Sequence, residues 1–533
     1  MTPLPLKNMA VSLSGGGYRA TSFHLGALSY LNYRTFEGIS LLQEVKIIST
    51  ISGGTFTGAM YALRLAQGKT FEDCFNDLYK VLLDDQLVDL ALLKLSNPGK
   101  WTNTHKSKDM INAFSEVYNE SIFGEATFDD LYNGHQSHLT DVIFGSSEFK
   151  YGIQFRFQKE HGKGKFGNNY LNLPTEVAGQ IRIADAVAAS SCFPGGFEPM
   201  IMPKDFGNGP ESIVDITWNK NYSGEDKSPE TAIMDGGVID NLGIEGVKLA
   251  EMRHSKNGAP FVGTYIVSDV SSEMMTPYEV PKLTESAFKN FFTINGINIV
   301  TRILLVAIIG VLSFTSLSRL GTIILSSMLP ILVIWNSLYF FAKAQLKRVI
   351  KETFGQDQLS EYIKDFSILI KTPIYILIYL VQFRLTSVLK MVSDIFLKRI
   401  RRLSLNSLYD SPEWNYRFKS NYIYTLDKVK QDLSSEMQKA ITSANNMPTT
   451  LWFTETEVKN NVLNDLIACG QFTQCKNLLT YLDRIIDGTY REKVWTNLSP
   501  DYQQKLLELR QHITDDWARF QKDAYWLLDQ HKK

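Results

Sequence analysis

Met9-Ala10-Val11-Ser12-Leu13-Ser14-Gly15-Gly16-Gly17-Tyr18-Arg19-Ala20 moves from a short apolar run, through three consecutive glycines, into a helical pattern. Phe23, Ala27 and Leu31 continue that pattern on one face, so a helix is expected over Ala20 to Leu31. The same grammar recurs at once. Val45 to Ile51 reads as a second buried strand, Ser52-Gly53-Gly54 as its turn, and Phe56 to Leu65 as its helix. Short apolar strands alternating with helices predict a parallel sheet covered on both faces. In such sheets active sites form at the carboxyl ends of the strands, where both glycine turns lie. Further strands are expected near Thr140 to Phe144, Lys150 to Phe157 and Thr264 to Val270, with a strand tip at Ile233-Met234 and a helix over Ile181 to Ser190.

Three turns carry residue types that suit chemistry. Ser52 follows an apolar strand and precedes a helix, the setting of a nucleophile elbow, in which a sharp turn exposes the hydroxyl. Gly54 fits that pattern; Thr50 stands where a glycine is usual. Taken alone, Ser52 is more simply read as an ordinary turn serine. The loop Gly15, Gly16 and Gly17 lets backbone N–H groups converge at a helix N-terminus. That geometry suits a phosphate or a developing oxyanion, and Arg19 would add positive charge there. No lysine occupies a P-loop position and G-x-G-x-x-G is not satisfied, so nucleotide binding is disfavoured. Asp235-Gly236-Gly237 ends a short strand, and a carboxylate there can serve a serine as general base. An Asp-Gly turn is common, so the weight rests on the three motifs together.

Together they resemble the patatin-like phospholipase family. Gly15-Gly16-Gly17-Tyr18-Arg19 matches its G-G-G-x-R loop, Thr50 to Gly54 its G-x-S-x-G elbow except at Thr50, and Asp235-Gly236-Gly237 its D-G-G motif. Ala188-Ala189-Ser190-Ser191-Cys192-Phe193-Pro194 and Val238-Ile239-Asp240-Asn241-Leu242-Gly243 are similar to the family's flanking stretches. The likeness spans roughly residues 8 to 270. It implies an α/β three-layer fold with a mainly parallel central sheet. It also implies a Ser52–Asp235 dyad without histidine, cleaving lipid acyl esters. Gly15, Gly16 and Gly17, joined by Gly53, would stabilise the oxyanion. None of the eight histidines falls in a triad motif; His24 is most simply a buried or surface helix residue.

Nothing in that family pattern accounts for residues 285 to 405. Ile303 to Phe341 carries one charged residue, Arg319. As a helix it would reach roughly 58 Å, near twice the ~30 Å hydrocarbon core, so a transmembrane hairpin turning near Ser316 to Gly321 is expected. Its first arm needs Ile297 to Arg302 to reach span length. Lys343, Lys347, Arg348 and Lys351 follow it, which places both hairpin ends, and the catalytic part, on the cytoplasmic side. Phe366 to Phe383, interrupted by Lys371 and Pro373, reads as interfacial, and the run Lys398, Arg399, Arg401, Arg402 suits anionic head groups or a solvated helix end. The expected organisation is a catalytic domain over 1–280, a helical membrane module over 285–405, and a helical region over 410–533 packing on the catalytic domain. There, Tyr502, Leu506, Leu509, Ile513, Trp517, Phe520 and Ala524 mark one amphipathic helix.

The bulk properties agree. The chain has 533 residues, 44% hydrophobic and 21% charged, with a formal net charge of −1, which gives no basis for nucleic-acid binding. Four scattered cysteines make no disulfide or zinc framework, and no signal peptide is expected. No cofactor is expected. Alternative readings are a carboxylesterase or thioesterase on soluble acyl substrates, a non-catalytic membrane scaffold, and a soluble protein whose 303–341 hairpin is core. Membrane helices leave homo-oligomer formation open.

Overall fold

In the computed structural model, residues 3–531 are described apart from residues 85, 162–164, 223–228, 256–258, 273–277, 281, 284–287, 317 and 355–369. Strand β1 (Met9–Leu13) is buried at every position, as a run of apolar and small residues in a sheet centre requires. It leads through the glycine loop into helix α1 (Gly17–Tyr33). Strand β2 (Val45–Ile51) leads through Ser52 into helix α2 (Gly53–Ala66). Both strands appear within a residue of where the sequence puts them.

The sheet continues with β3 (Asp141–Glu148), β4 (Ile153–Lys159), β5 (Phe166–Gly167), β6 (Asn172–Leu173), β7 (Met200–Met202), β8 (Thr231–Asp235), β9 (Tyr265–Asp269) and β10 (Phe418–Tyr422). Its order is β10-β9-β1-β2-β3-β4-β5-β6, with β8 paired to β3 and β7 to β8. From β10 to β3 the pairing is parallel; from β3 onward it is antiparallel. The sheet is sandwiched. On one face Ala10, Ile47, Ile143, Tyr265 and Val267 meet Ile244, Val247 and Ala250 of the helix Ile244–His254, and Leu405 and Leu408 of the helix Leu397–Tyr409. On the other, Val11, Leu13, Ile48 and Phe144 pack in the main core with α1, α2 and the C-terminal helices.

The chain divides into two compact units, residues 1–275 with 394–533, and residues 276–393. The C-terminal residues thus complete the first unit. They supply an edge strand, β10, and a long helix, Val462–Ile486, that lies on α1. The contact is backbone to backbone. A side chain at Gly26 would overlap the carbonyl of Ile467, and one at Gly470 that of Phe23. The expected module boundary at 405 shifts accordingly. Helix Leu397–Tyr409 belongs to the first unit because Arg401 is buried in an ion pair with Asp269, with its guanidinium over the Tyr422 ring. Arg401 is therefore committed to the sheet edge. Only Arg399 and Arg402 of that arginine trio are exposed.

In the second unit, helices Ile294–Phe314 and Arg319–Phe354 pack on each other. The first takes in Ile297 to Arg302, as span length demands. Two helical stretches, Ile294–Phe314 and Arg319–Phe341, are long and apolar enough to cross a membrane, and each hydropathy window is only 11% buried. Val306, Phe314 and Leu320 are largely exposed. Asn298 and Asn336 are buried, Arg302 Nε donates to Asn336 Oδ1 at 3.4 Å, and Arg302 lies over the Phe340 ring. Of the stretch expected to be interfacial, residues 366–369 lie outside the described residues; the remainder enters the helix Ile374–Lys390, which starts after Pro373 and buries no residue.

Candidate active site

Strand register explains why Ser52 and Asp235 meet. Strand β4 occupies one edge of β3. The other edge is shared: β2 pairs with it up to Ile51 opposite Gly145, and β8 takes over with Asp235 opposite Ser146. Because β8 runs antiparallel to β3, its carboxyl end and that of β2 point at each other. Ser52 then turns the chain into α2 at φ 50°, ψ −121°, a conformation non-glycine residues rarely adopt, so the turn stores strain. The Ser52 hydroxyl acts on the Asp235 carboxylate as a donor that lowers its pKa. Gly237 N–H donates to Asp235 Oδ1 at 2.6 Å. Burial is the dominant influence on this carboxyl and raises its pKa to about 6, against the lowering effect of those two donors. Glycine is needed at 236, where a Cβ would overlap the Gly145 carbonyl.

The glycine loop lies directly over the serine. A Cβ on Gly15 would sit 3.0 Å from Ser52 Cβ and 2.6 Å from Asn241 Oδ1. Gly16 and Gly17 take φ 142° and 56°, which aim successive N–H groups off the regular path. Gly15 N–H is already used, donating to Asn241 O at 3.2 Å. The N–H groups of Gly16, Gly17 and Gly53 meet no protein acceptor among the described residues. The two helix starts are tied together by Thr21, whose hydroxyl lies 2.8 Å from Gly53 O and 3.1 Å from Gly17 O. Arg19 turns its side chain to the C-terminal region. Its guanidinium Nη2 donates to Tyr424 OH at 2.5 Å and stacks over that ring, so it joins the loop to the C-terminal region. The loop is closed by that region too: Tyr18 N–H donates to Thr450 O at 2.8 Å, and Phe453 packs on the Tyr18 ring.

His24 is buried and holds the loop's base. Nε2 donates to Ser14 O at 3.1 Å, so Nδ1 must accept from Ser268 Oγ at 3.0 Å. Burial pushes its pKa down to about 4, so it is a neutral strut. Neither Ser52 nor Asp235 has a histidine hydrogen-bond partner among the described residues.

Several residues that shape the site have no motif of their own. Asn241 holds Gly15 through its carbonyl and donates from Nδ2 to Ser271 Oγ at 3.2 Å. Ser147 Oγ donates to Asp235 O at 2.8 Å. Ser190 Oγ accepts the Ser52 N–H at 3.0 Å. Asn241 and Ser190 lie inside stretches the family resemblance had marked, but pattern alone gave them no role.

A serine paired with a buried aspartate at adjoining strand ends of a three-layer α/β sheet is an arrangement found among lipid acyl hydrolases. Residues 11–248 match the Patatin family model, described as patatin-like phospholipase, so this stretch of the chain is similar to that family's domain. No curated protein matches the chain.

Proposed function

We propose that this protein is a membrane-associated serine lipid acyl hydrolase of the phospholipase A or lysophospholipase type. The observation that carries it is the meeting of the strained Ser52 turn and the buried Asp235 at adjoining strand ends, on either side of Gly145 and Ser146, beside a glycine loop whose Gly16 and Gly17 N–H groups meet no acceptor among the described residues. Asp235 takes the proton as Ser52 Oγ attacks the ester carbonyl. Charge then develops on the carbonyl oxygen, which the Gly16, Gly17 and Gly53 N–H groups would receive; one such donor is typically worth about 3 kcal/mol in the transition state. The protonated carboxyl returns its proton to the departing alcohol, leaving an acyl-Ser52. Water, deprotonated by Asp235, then releases the fatty acid. No step calls for a cofactor.

Membrane association is supported by the apolar, mostly exposed helices of residues 294–341. They would hold the catalytic unit near its substrate, with the chain on either side of the hairpin in the cytoplasm.

The test is hydrolysis of mixed phospholipids in liposomes, with fatty acid and lysolipid followed by mass spectrometry. Wild type should release fatty acid, while Ser52→Ala and Asp235→Asn should each lose on the order of 10³-fold or more. Equal product from wild type and both variants would sink the dyad. A carbonate wash of membranes reads the second claim: release of the protein into the supernatant would refute a spanning hairpin.

A further inference from the structure

The Ser52 turn is strained and needs something to hold it. The end of the helix Ile183–Ser190 provides that support, and its hydroxyl is fully used. Ser190 Oγ–H donates to Gly145 O at 2.7 Å. With its one proton spent, the same oxygen can only accept from its two other neighbours, Ser52 N–H at 3.0 Å and Thr55 Oγ1 at 2.9 Å. The residue is wholly buried.

The same helix end also holds the aspartate. Gly236 N–H donates to Ser190 O at 3.4 Å, and Asp235 N–H donates to Cys192 O at 3.0 Å. One three-residue stretch therefore grips the backbone of both Ser52 and Asp235. Its anchor is Gly145, the β3 residue at which β2 gives way to β8.

We propose that Ser190 is a positioning residue: its hydroxyl fixes the Ser52 backbone so that Oγ faces Asp235. This rests on the reading of Ser52 and Asp235 as the catalytic pair. Ser190 touches no reacting atom and acts through the serine it holds. Loss of the hydroxyl frees the Ser52 N–H and lets a strained turn relax. Displacements on the order of 1 Å can cost about 100-fold in rate.

The experiment compares Ser190→Ala with Ser191→Ala in the full-length protein. Ser191 makes the same kind of buried bond one residue on, but to its own helix, at Val187 O. Three quantities are measured: kcat and KM on a monomeric short-chain ester, the rate at which a fluorophosphonate labels Ser52, and the melting temperature. Ser190→Ala should lower kcat about 10- to 100-fold with KM within about twofold, and slow labelling by a similar factor. Its melting temperature should fall no further than that of Ser191→Ala, which keeps near-wild-type kcat. Equal kcat losses in the two variants, or an unchanged labelling rate in Ser190→Ala, would overturn the proposal. A wild-type protein that is neither labelled nor active would sink the catalytic reading itself, and this assignment with it.

Discussion

Gly58 leaves the space that Thr50 fills. A side chain at Gly58, in the second turn of α2, would overlap Thr50 Cγ2, and Thr50 Oγ1 donates to Ile143 O at 3.2 Å. The departure from glycine at the head of the elbow is thus answered eight residues later by a glycine on the helix that packs over it. Gly58→Ala should destabilise the protein by about 1–3 kcal/mol, the usual range for overpacking a core. Thr50→Gly in the same chain should recover most of that loss. Urea unfolding of the two single variants and the double gives the coupling directly, and strictly additive values would show that the two positions do not compensate.

The pH dependence follows from Asp235. In the proposed mechanism its carboxyl must be ionised to take the proton of Ser52, and burial raises its pKa to about 6. The value of kcat/KM should therefore rise as pH climbs through about 6 and level off above it. Stability should move the other way. A folded pKa raised above the unfolded value of 3.8 means that the native state binds more protons between those limits, so this group's contribution is complete below 3.8 and is lost by about pH 6. Asp235→Asn removes that loss. Its melting temperature should gain on wild type as pH goes from 4 to 7, even though the variant is inactive. A constant difference across that range would contradict a buried, proton-retaining carboxyl.

The close crossing of α1 with the helix Val462–Ile486 sets a third expectation. Gly470→Ala presses against the Phe23 carbonyl, which is backbone and cannot swing aside. The cost should again be about 1–3 kcal/mol. Because α1 begins at the glycine loop, activity per folded molecule should fall as well, which active-site titration against total protein will show. Alanine at Gly99, where a Cβ would meet nothing, should have neither effect.

A run of arginines can be dissected by position. Arg401→Met strands the Asp269 carboxylate in the core and should cost about 3–5 kcal/mol. Arg399→Ala and Arg402→Ala, both at exposed positions, should stay within about 0.5 kcal/mol of wild type. Thermal melts of the three variants test this. An Arg401→Met protein as stable as wild type would mean that the pair with Asp269 is dispensable.

The local grammar of this chain was legible. Apolar runs such as Val45 to Ile51, cut by glycine and followed by a helical period, announce strand, turn and helix within a few residues, so β1, β2 and their helices could be read directly. Ser52 and Asp235 could each be singled out from local signals. What local signals do not carry is register. That β8 runs antiparallel and takes over the β3 edge from β2 depends on pairings across nearly a hundred residues, as in Asp235 opposite Ser146. For the same reason the contacts of Arg19 and the burial of Arg401 were not legible. A charged residue looks solvent-bound or ligand-bound until its partner, here Tyr424 or Asp269, is brought to it from far along the chain. Ser190 was hidden differently: a serine in a run of small residues signals close packing, and only geometry shows which N–H it receives.

The catalytic unit is built from two pieces of chain with residues 276–393 between them. Translation delivers those pieces in order. While the apolar helices leave the ribosome, β9 still waits for β10, Tyr18 N–H lacks the Thr450 carbonyl, and the Gly26 surface of α1 lies bare. The glycine loop is finished only when the last part of the chain arrives. A nascent polypeptide thus exposes its apolar helices before its glycine loop is closed, and a product truncated before Val462 would carry those helices with the Gly26 surface of α1 uncovered.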